Sequence, residues 1–141
     1  MPRARRAAIG IVLTLAVSAC ATTDLHALNG TRWQAVQIGD IVAVPTLRPT
    51  IAFKGGGASG TGLCATYVIG TLTIDQTASP PRLMLGDVTT TTGCPNDEWE
   101  RIDRTYFGAL TQAQSIQAVG NQLIVSGPGG RIVFERLPGP G

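Results

Sequence analysis

Histidine and cysteine are scarce in this sequence, and their scarcity argues against several kinds of enzyme. The 141 residues include one histidine, His26, and three cysteines. His26 lies in a short polar stretch near the start of the chain, so the sequence does not predict a Ser/His/Asp or Cys/His mechanism. The cysteines form no Cys-x-x-Cys pair, and two cysteines with one remote histidine do not supply a four-ligand zinc site. We therefore predict no catalytic residues, no metal and no cofactor.

Charge and aromatic side chains are also sparse. Charged residues make up 14% and aromatic residues 5% of the chain, with a formal net charge of +2. Three of the eleven basic residues lie within the first six positions, and without residues 1–19 the chain keeps eight basic and nine acidic side chains. The basic balance therefore belongs to the leader. A nucleic-acid partner is not expected, since the remainder has neither positive charge nor interleaved aromatics.

The leader is too short to span a bilayer, but it has the features of an export signal. Three arginines precede an apolar run over residues 7–17, and small residues lead to Cys20. The segment Val17-Ser18-Ala19-Cys20 resembles the lipobox of bacterial lipoproteins, in which the cysteine is lipidated after cleavage before it. We predict a signal peptide over residues 1–19 and membrane attachment through lipid on Cys20. The alternative is an ordinary soluble signal peptide that happens to meet a cysteine.

The residues after Cys20 predict where the protein resides and where its domain begins. Ala21 replaces the Asp that would favour inner-membrane retention under the enteric sorting rule, so we predict the cell envelope, on the periplasmic face of the outer membrane. Acyl chains would hold the protein there at about 0.8 kcal/mol per buried methylene. Residues 20–27 show little apolar pattern and are interpreted as a tether, with one domain over residues 28–137 and a disordered tail over 138–141.

The body of the chain has the composition of a β-rich domain. Eighteen glycines, nine prolines and only three phenylalanines indicate many turns between short elements packed with aliphatic side chains. Alternation and turn signals predict strands over residues 33–38, 50–54, 58–67, 70–75, 82–88, 115–119, 122–126 and 131–137. The last three are expected to form an antiparallel meander.

One segment has helical periodicity. From Asn96 onward, apolar residues fall on a single helical stripe: Trp99, Ile102, Tyr106, Phe107 and Leu110. The helix is expected to end near Gln112 to Gln114. Its acidic residues, Asp103 among them, are interpreted as a solvated face with i,i+4 pairs such as Glu100 with Arg104.

Two cysteines remain once Cys20 is assigned to lipid. Cys64 and Cys94 would lie outside the cytoplasm, where pairing is favoured, so a disulfide is predicted. Two free thiols, one of them reactive, are the alternative. Trp33 and Tyr67 are the candidates for contact with a ligand or a partner, although large aromatics in a small β domain are more often part of the core.

The landmarks together resemble the META domain, the family of HslJ-like bacterial lipoproteins. The resemblance implies a mainly β fold with one α-helix, a small strongly curved antiparallel sheet or partly open lipocalin-like barrel with the amphipathic helix packed on it. It also implies stress and envelope roles without a defined reaction. It rests on segments spread over the domain, which are residues 28–33, 51–53, 59–67, 90–94, the helix with Trp99 and Leu110, 123–125 and 132–134.

Three functions follow in order of preference. The first is a non-enzymatic, monomeric, lipid-anchored envelope protein, a stress-related accessory or a scaffold that binds a protein partner. The second is a carrier that holds a small apolar ligand in the curved sheet. Filling of the core by aromatic and aliphatic side chains would count against this carrier. An enzyme ranks last, because no pair of nucleophile and base is visible.

The lipid anchor can be tested directly. Mass spectrometry of protein purified from membranes is expected to show a mature chain that begins at an acylated Cys20, and Cys20→Ser is expected to release the protein from the membrane fraction. An unmodified cytoplasmic protein with an intact leader would contradict the prediction.

Overall fold

The computed structural model describes residues 23–91 and 93–139. Within these residues, two helices and eleven strands alternate with short turns. The helices are α1 (Leu25–Leu28) and α2 (Asp97–Thr111). The strands are β1 (Arg32–Ile38), β2 (Ile41–Val42), β3 (Thr50–Lys54), β4 (Gly57–Thr61), β5 (Thr66–Ile69), β6 (Leu72–Asp75), β7 (Arg82–Leu85), β8 (Val88–Thr90), β9 (Ser115–Val119), β10 (Gln122–Gly127) and β11 (Gly130–Leu137).

The strands form one curled antiparallel sheet. Ten of them follow the order β6-β7-β9-β10-β11-β1-β3-β4-β5-β8, and β2 adds to β1 beside β3. The sheet makes a half-barrel, with 46% of the described residues in strands and 16% in helices. The predicted mainly β fold with one packed helix is therefore confirmed, as is the closing meander of β9, β10 and β11.

A bent hairpin connects the two ends of this sheet. β5 runs on into β6 and β7 into β8, and each strand bends at a glycine. Across the bend the ladder continues, since Gly70 N–H donates to Asp87 O at 3.0 Å and Gly86 N–H donates to Thr71 O at 2.8 Å. One half of the hairpin pairs with β4 and the other with β9. The bend therefore curls the sheet back towards itself.

The concave face of the sheet is filled by side chains and by α2. Tyr106 and Leu110 on α2 are at most 1% exposed, and Phe134 on β11 is fully buried opposite them. Most of the large aliphatic and aromatic residues join this one core. Asn96 caps the helix, accepting a 2.9 Å hydrogen bond from Trp99 N–H, and acidic residues occupy the first turn where the helix dipole favours them. The sequence prediction of this helix agrees with its bounds to within a few residues.

Two predicted strands have different bounds in the structure. The strand predicted over residues 58–67 is interrupted, because Gly62 N–H donates to Ala65 O at 2.7 Å and turns the chain between β4 and β5. The strand predicted over 82–88 is divided at Gly86 by the hairpin bend. In both segments the chain turns at a glycine, Gly62 or Gly86, within a run that the sequence predicts as one continuous strand.

The predicted tether also differs from the structure, from Thr23 onward. Thr23 is 3% exposed, its Oγ1 accepts a 2.8 Å hydrogen bond from Ala118 N–H, and its carbonyl accepts one from Gln76 Nε2. Asp24 then caps α1 by accepting from Ala27 N–H at 2.6 Å. These contacts form because the β7–β9 pairing is confined to Arg82 and Ser115, which leaves the N–H of Ala118 for another acceptor. The packed body begins earlier than the predicted residue 28.

Several predictions lie outside the described residues. They are the signal peptide over residues 1–19, the lipid on Cys20 and the end of the tail. Neither helix within residues 23–91 and 93–139 has the length and apolar character needed to cross a membrane.

Close strand packing predicts opposite effects for two glycine substitutions. A Cβ at Gly60 would collide with the carbonyl oxygen of Thr50 and meet the Tyr67 hydroxyl, whereas a Cβ at Gly108 in α2 would meet nothing within 4 Å. Gly60→Ala is expected to lower the free energy of unfolding by about 1–3 kcal/mol. Gly108→Ala is the matched control and is expected to raise it by up to about 1 kcal/mol. Urea unfolding measures both, and equal midpoints for the two variants would contradict the described packing.

Candidate functional site

A disulfide joins the β4–β5 turn to the segment before α2. Cys64 and Cys94 are bonded, with their Cα atoms 5.2 Å apart and a separation of 30 positions in sequence. The predicted pairing is therefore confirmed over the alternative of two free thiols. Closing a loop of this length stabilises the folded state by roughly 3–4 kcal/mol on the chain-entropy model.

A buried carboxylate lies directly against this disulfide. Asp103 is 5% exposed, and its Oδ1 accepts a 2.7 Å hydrogen bond from Leu63 N–H. Its Oδ2 lies 3.4 Å from the Cys64 sulfur and 3.7 Å from the Cys94 sulfur. Disulfide sulfurs carry no proton, so the amide of Leu63 is the group that stabilises the carboxylate. Gly62 permits this approach, because a Cβ at that position would collide with Oδ1.

The same three side chains are the best placed for a metal, but their chemistry does not fit one. The ligand atoms of Cys64, Cys94 and Asp103 all lie within 4.8 Å of one another. Metals bind cysteine as the thiolate, and both sulfurs are here committed to each other. The cluster therefore acts as a covalent and hydrogen-bonded link between α2 and the β4–β5 turn.

The two aromatic residues predicted as ligand contacts lie in the core. Trp33 is 2% exposed, and its Nε1 donates to Thr31 Oγ1 at 2.8 Å. Tyr67 is also 2% exposed, and its hydroxyl donates to Thr50 O at 2.7 Å and lies 2.8 Å from the Tyr106 hydroxyl. Neither residue offers its ring face to a ligand in this arrangement.

The two tyrosines hold their protons firmly. Burial raises the pKa of Tyr67, although the hydrogen bond from Tyr106 offsets part of the rise. Burial likewise raises the pKa of Tyr106, and the neighbouring Tyr67 and the Asp103 carboxylate raise it further. Both phenols are therefore neutral at physiological pH, and they serve as hydrogen-bonding groups within the core.

A polar recess of about 450 Å³ lies beside the disulfide. Glu100 and Arg104 stand at its rim and form a 2.9 Å salt bridge with each other. The sequence predicts two i,i+4 pairs on this helix, Asp97 with Arg101 and Glu100 with Arg104. Of these two, the described residues form the second. The charged groups of the recess are thus already paired, and Asp103 at its base is held by Leu63.

An apolar groove lies on the other side of Leu63, between β2 and the first turns of α2. Its volume is about 430 Å³, and Glu98 and Arg101 stand at its rim. Two of its residues are unusually exposed for aliphatic side chains, with Val42 at 76% and Val44 at 53%. The apolar lining consists of Ile38, Ile41, Val42, Ala43, Val44, Leu47, Leu63, Trp99 and Ile102.

The disulfide cluster fixes one wall of this groove. Leu63 precedes Cys64, and its own N–H is the group that Asp103 holds. Trp99 and Ile102 come from the same helix as Asp103, one turn or less away from it. The Asp103 carboxylate therefore fixes the position of α2, which carries Trp99 and Ile102, relative to the turn that carries Leu63.

Comparison with known proteins identifies the family. The family model of the META domain matches residues 26–138. The chain belongs to the META domain family. A search of curated proteins finds no match.

Two solved structures share the fold of this META domain. A protein solved by NMR is 17% identical, with a TM-score of 0.62 over 80% of this chain and 94% of its own. A protein from Burkholderia xenovorans, also solved by NMR, is 20% identical, with a TM-score of 0.58 over 82% of this chain and 87% of its own. At these identities the likeness shows the fold.

Sequence reasoning missed the central residue of this META domain cluster. Asp103 was grouped with the solvated acidic face of the helix, yet it is buried. The signal was present, because Asp103 follows Trp99 by four residues and precedes Tyr106 by three, which places it within the apolar stripe. The exposure of Val42 and Val44 had no comparable signal in the pattern.

Substitution of Asp103 tests the role of the carboxylate. Asp103→Leu leaves the Leu63 N–H without its acceptor and is expected to lower the free energy of unfolding by about 1–3 kcal/mol. Asp103→Asn keeps an acceptor oxygen and is expected to cost less. Glu100→Gln removes a carboxylate of the exposed face and serves as the control, with a change within about 0.5 kcal/mol. Equal losses for Asp103→Leu and Glu100→Gln in urea unfolding would contradict the role assigned to Asp103.

Proposed function

We propose that this META domain protein is a non-enzymatic, lipid-anchored scaffold of the bacterial cell envelope, whose apolar groove binds a segment of a protein partner. The observation that carries the proposal is the exposure of Val42 and Val44, at 76% and 53%, on the rim of a groove lined by apolar side chains. Such a patch favours a partner, because a free monomer gains nothing by leaving it in water.

The filled core favours this role over that of a carrier. A ligand cavity inside the sheet would be excluded if six aromatic and aliphatic side chains filled the core. Five of these six are at most 2% exposed. They are Trp33, Phe53, Leu72, Val125 and Phe134, while Phe107 is partly buried and packs against them. The groove itself opens to solvent, which suits side chains presented by another protein better than an enclosed small molecule.

The chemistry of the recess likewise supports a non-enzymatic role. Its carboxylates have partners within the protein, and the buried phenols of Tyr67 and Tyr106 hold their protons. A general acid or base needs a group that exchanges its proton near the operating pH and faces the reactant. His26 is exposed on α1, and α1 contributes no residue to the recess.

The groove and its surroundings define the partner's chemistry. A partner segment with two or three aliphatic or aromatic side chains would fill the apolar lining of the groove. The opposite charges of Glu98 and Arg101 at the rim would fix the position at which the partner segment binds along the groove. A site of this size suits a weak or transient complex.

Photo-crosslinking in living cells tests the proposal. A p-benzoylphenylalanine at position 44 is expected to give one discrete protein adduct, and the same group at position 68 is expected to give none. Val68 is the matched control because it is also 53% exposed but lies on β5. Val42→Asp is expected to abolish the adduct by placing a charge in the groove.

Three results would contradict the proposal. They are equal adducts at positions 44 and 68, an adduct that persists at full yield with Val42→Asp, and an adduct at position 44 made only with a small apolar molecule. The last result would favour the carrier. Circular dichroism of each variant confirms that a lost adduct does not reflect lost folding.

A further inference from the structure

We propose that the domain sits directly on the membrane in one fixed orientation, with the surface around Thr23 against the lipid headgroups, because the link between its anchor and its body is very short. The inference rests on the lipidation of Cys20 in the proposed function. It specifies which surface of the domain contacts the bilayer and where the groove lies relative to that surface.

The chain is fixed to the body three residues after the anchor. Thr23 is 3% exposed and occupies the seam where β9 separates from β7. It is held from both sides, since its Oγ1 accepts from Ala118 N–H at 2.8 Å and its carbonyl accepts from Gln76 Nε2. The α1 helix that follows places Leu28 in the core at 3% exposure. Thr23 is therefore the first point at which the chain is tied to the sheet.

The length of chain before this point decides how far the domain can move. Thr23 lies three positions after Cys20, and three fully extended steps of the chain span at most about 11 Å. A domain of this size has a radius of gyration of about 13 Å, which for a sphere gives a diameter of about 35 Å. A link shorter than a third of that diameter does not let the body turn over, so the seam side must face the bilayer.

The surface around the seam suits contact with headgroups. Val119 is 57% exposed. It follows Ala118, whose N–H donates to Thr23 Oγ1, so it lies beside the seam. Thr77, next to Gln76, is exposed as well, and its N–H and hydroxyl both donate to Asp75 within the turn. The surface combines one apolar side chain with the carboxylates of Asp24 and Asp75, so attachment is supplied by the acyl chains and not by salt-dependent attraction to anionic headgroups.

This orientation leaves the groove accessible. From β9 to β2 the sheet runs through β10, β11 and β1, which makes four interstrand steps. At about 4.8 Å a step, the groove lies roughly 19 Å around the curled sheet from the seam. Val42 and Val44 are therefore displaced around the sheet from Val119, the residue placed against the membrane.

Lipid crosslinking tests the orientation. The lipidated full chain is reconstituted into vesicles of phosphatidylethanolamine and phosphatidylglycerol, with p-benzoylphenylalanine at position 119, 44 or 68 in turn. Position 119 is expected to form severalfold more phospholipid adduct than positions 44 and 68, which have similar exposure. A flexible insertion of about ten residues between Ala21 and Thr22, with a mean span of about 17 Å, is expected to remove the difference.

Thr23→Val offers a second measurement without changing the length of the anchor. It removes the Oγ1 acceptor while keeping the shape of the side chain, so hydrogen exchange at Ala118 N–H is expected to accelerate and the adduct at position 119 to fall. Faster exchange with an unchanged preference for position 119 would overturn the role given to Thr23.

The outcomes separate the two proposals. A chain that lacks lipid on Cys20 by mass spectrometry overturns the anchor and the orientation together. A lipidated, membrane-bound chain with equal lipid adducts at the three positions overturns the orientation alone, and the anchored scaffold stands. Equal adduct yields with and without the ten-residue insertion also overturn the orientation.

Discussion

The packing of α2 into the concave face of the curled sheet is the contact on which the rest of this structure depends. Tyr106 and Leu110 fill the space that a lipocalin-like half-barrel would otherwise leave open, and they meet Phe134 from the sheet. Burying each such side chain contributes about 1.5–3 kcal/mol. Within the described residues, the concave face is thereby filled by side chains of one core.

The same helix organises the outer surface. Its inward face carries Asp103, which holds the amide of Leu63, and the disulfide fixes the segment just before its first turn. The first turns of the helix then stand beside β2 at a set distance, with the groove between them. Membership of the META domain family accounts for the fold. The anchor side and the proposed partner side lie well apart around the sheet.

Local patterns in the sequence predicted most of the fold and little of the site. The helix was predicted well because Asn96, the acidic first turn and the apolar stripe agree on one answer. The closing meander was predicted because Gly120-Asn121 separates two alternating runs.

The errors fall where residues distant in sequence decide the structure. Asp103 meets Leu63 across 40 residues, and Ala118 meets Thr23 across 95. The place of Asp103 within the apolar stripe indicates burial but not what it contacts, and its acidic neighbours led to its assignment to solvent. Thr23 lies in a polar stretch with no local signature, and it was assigned to a tether. The β4–β5 turn was missed for a related reason, because Leu63, Cys64 and Ala65 have none of the turn chemistry that glycine, asparagine or proline would provide.

The central claim is that the groove of an anchored scaffold meets a protein in the envelope. Hydrogen exchange of the lipidated protein in native envelope vesicles, compared with the purified protein in vesicles of pure lipid, tests it most directly. The account predicts slower exchange over residues 41–47 in the native envelope and unchanged exchange over β5. Identical exchange over residues 41–47 in the two membranes would contradict the account.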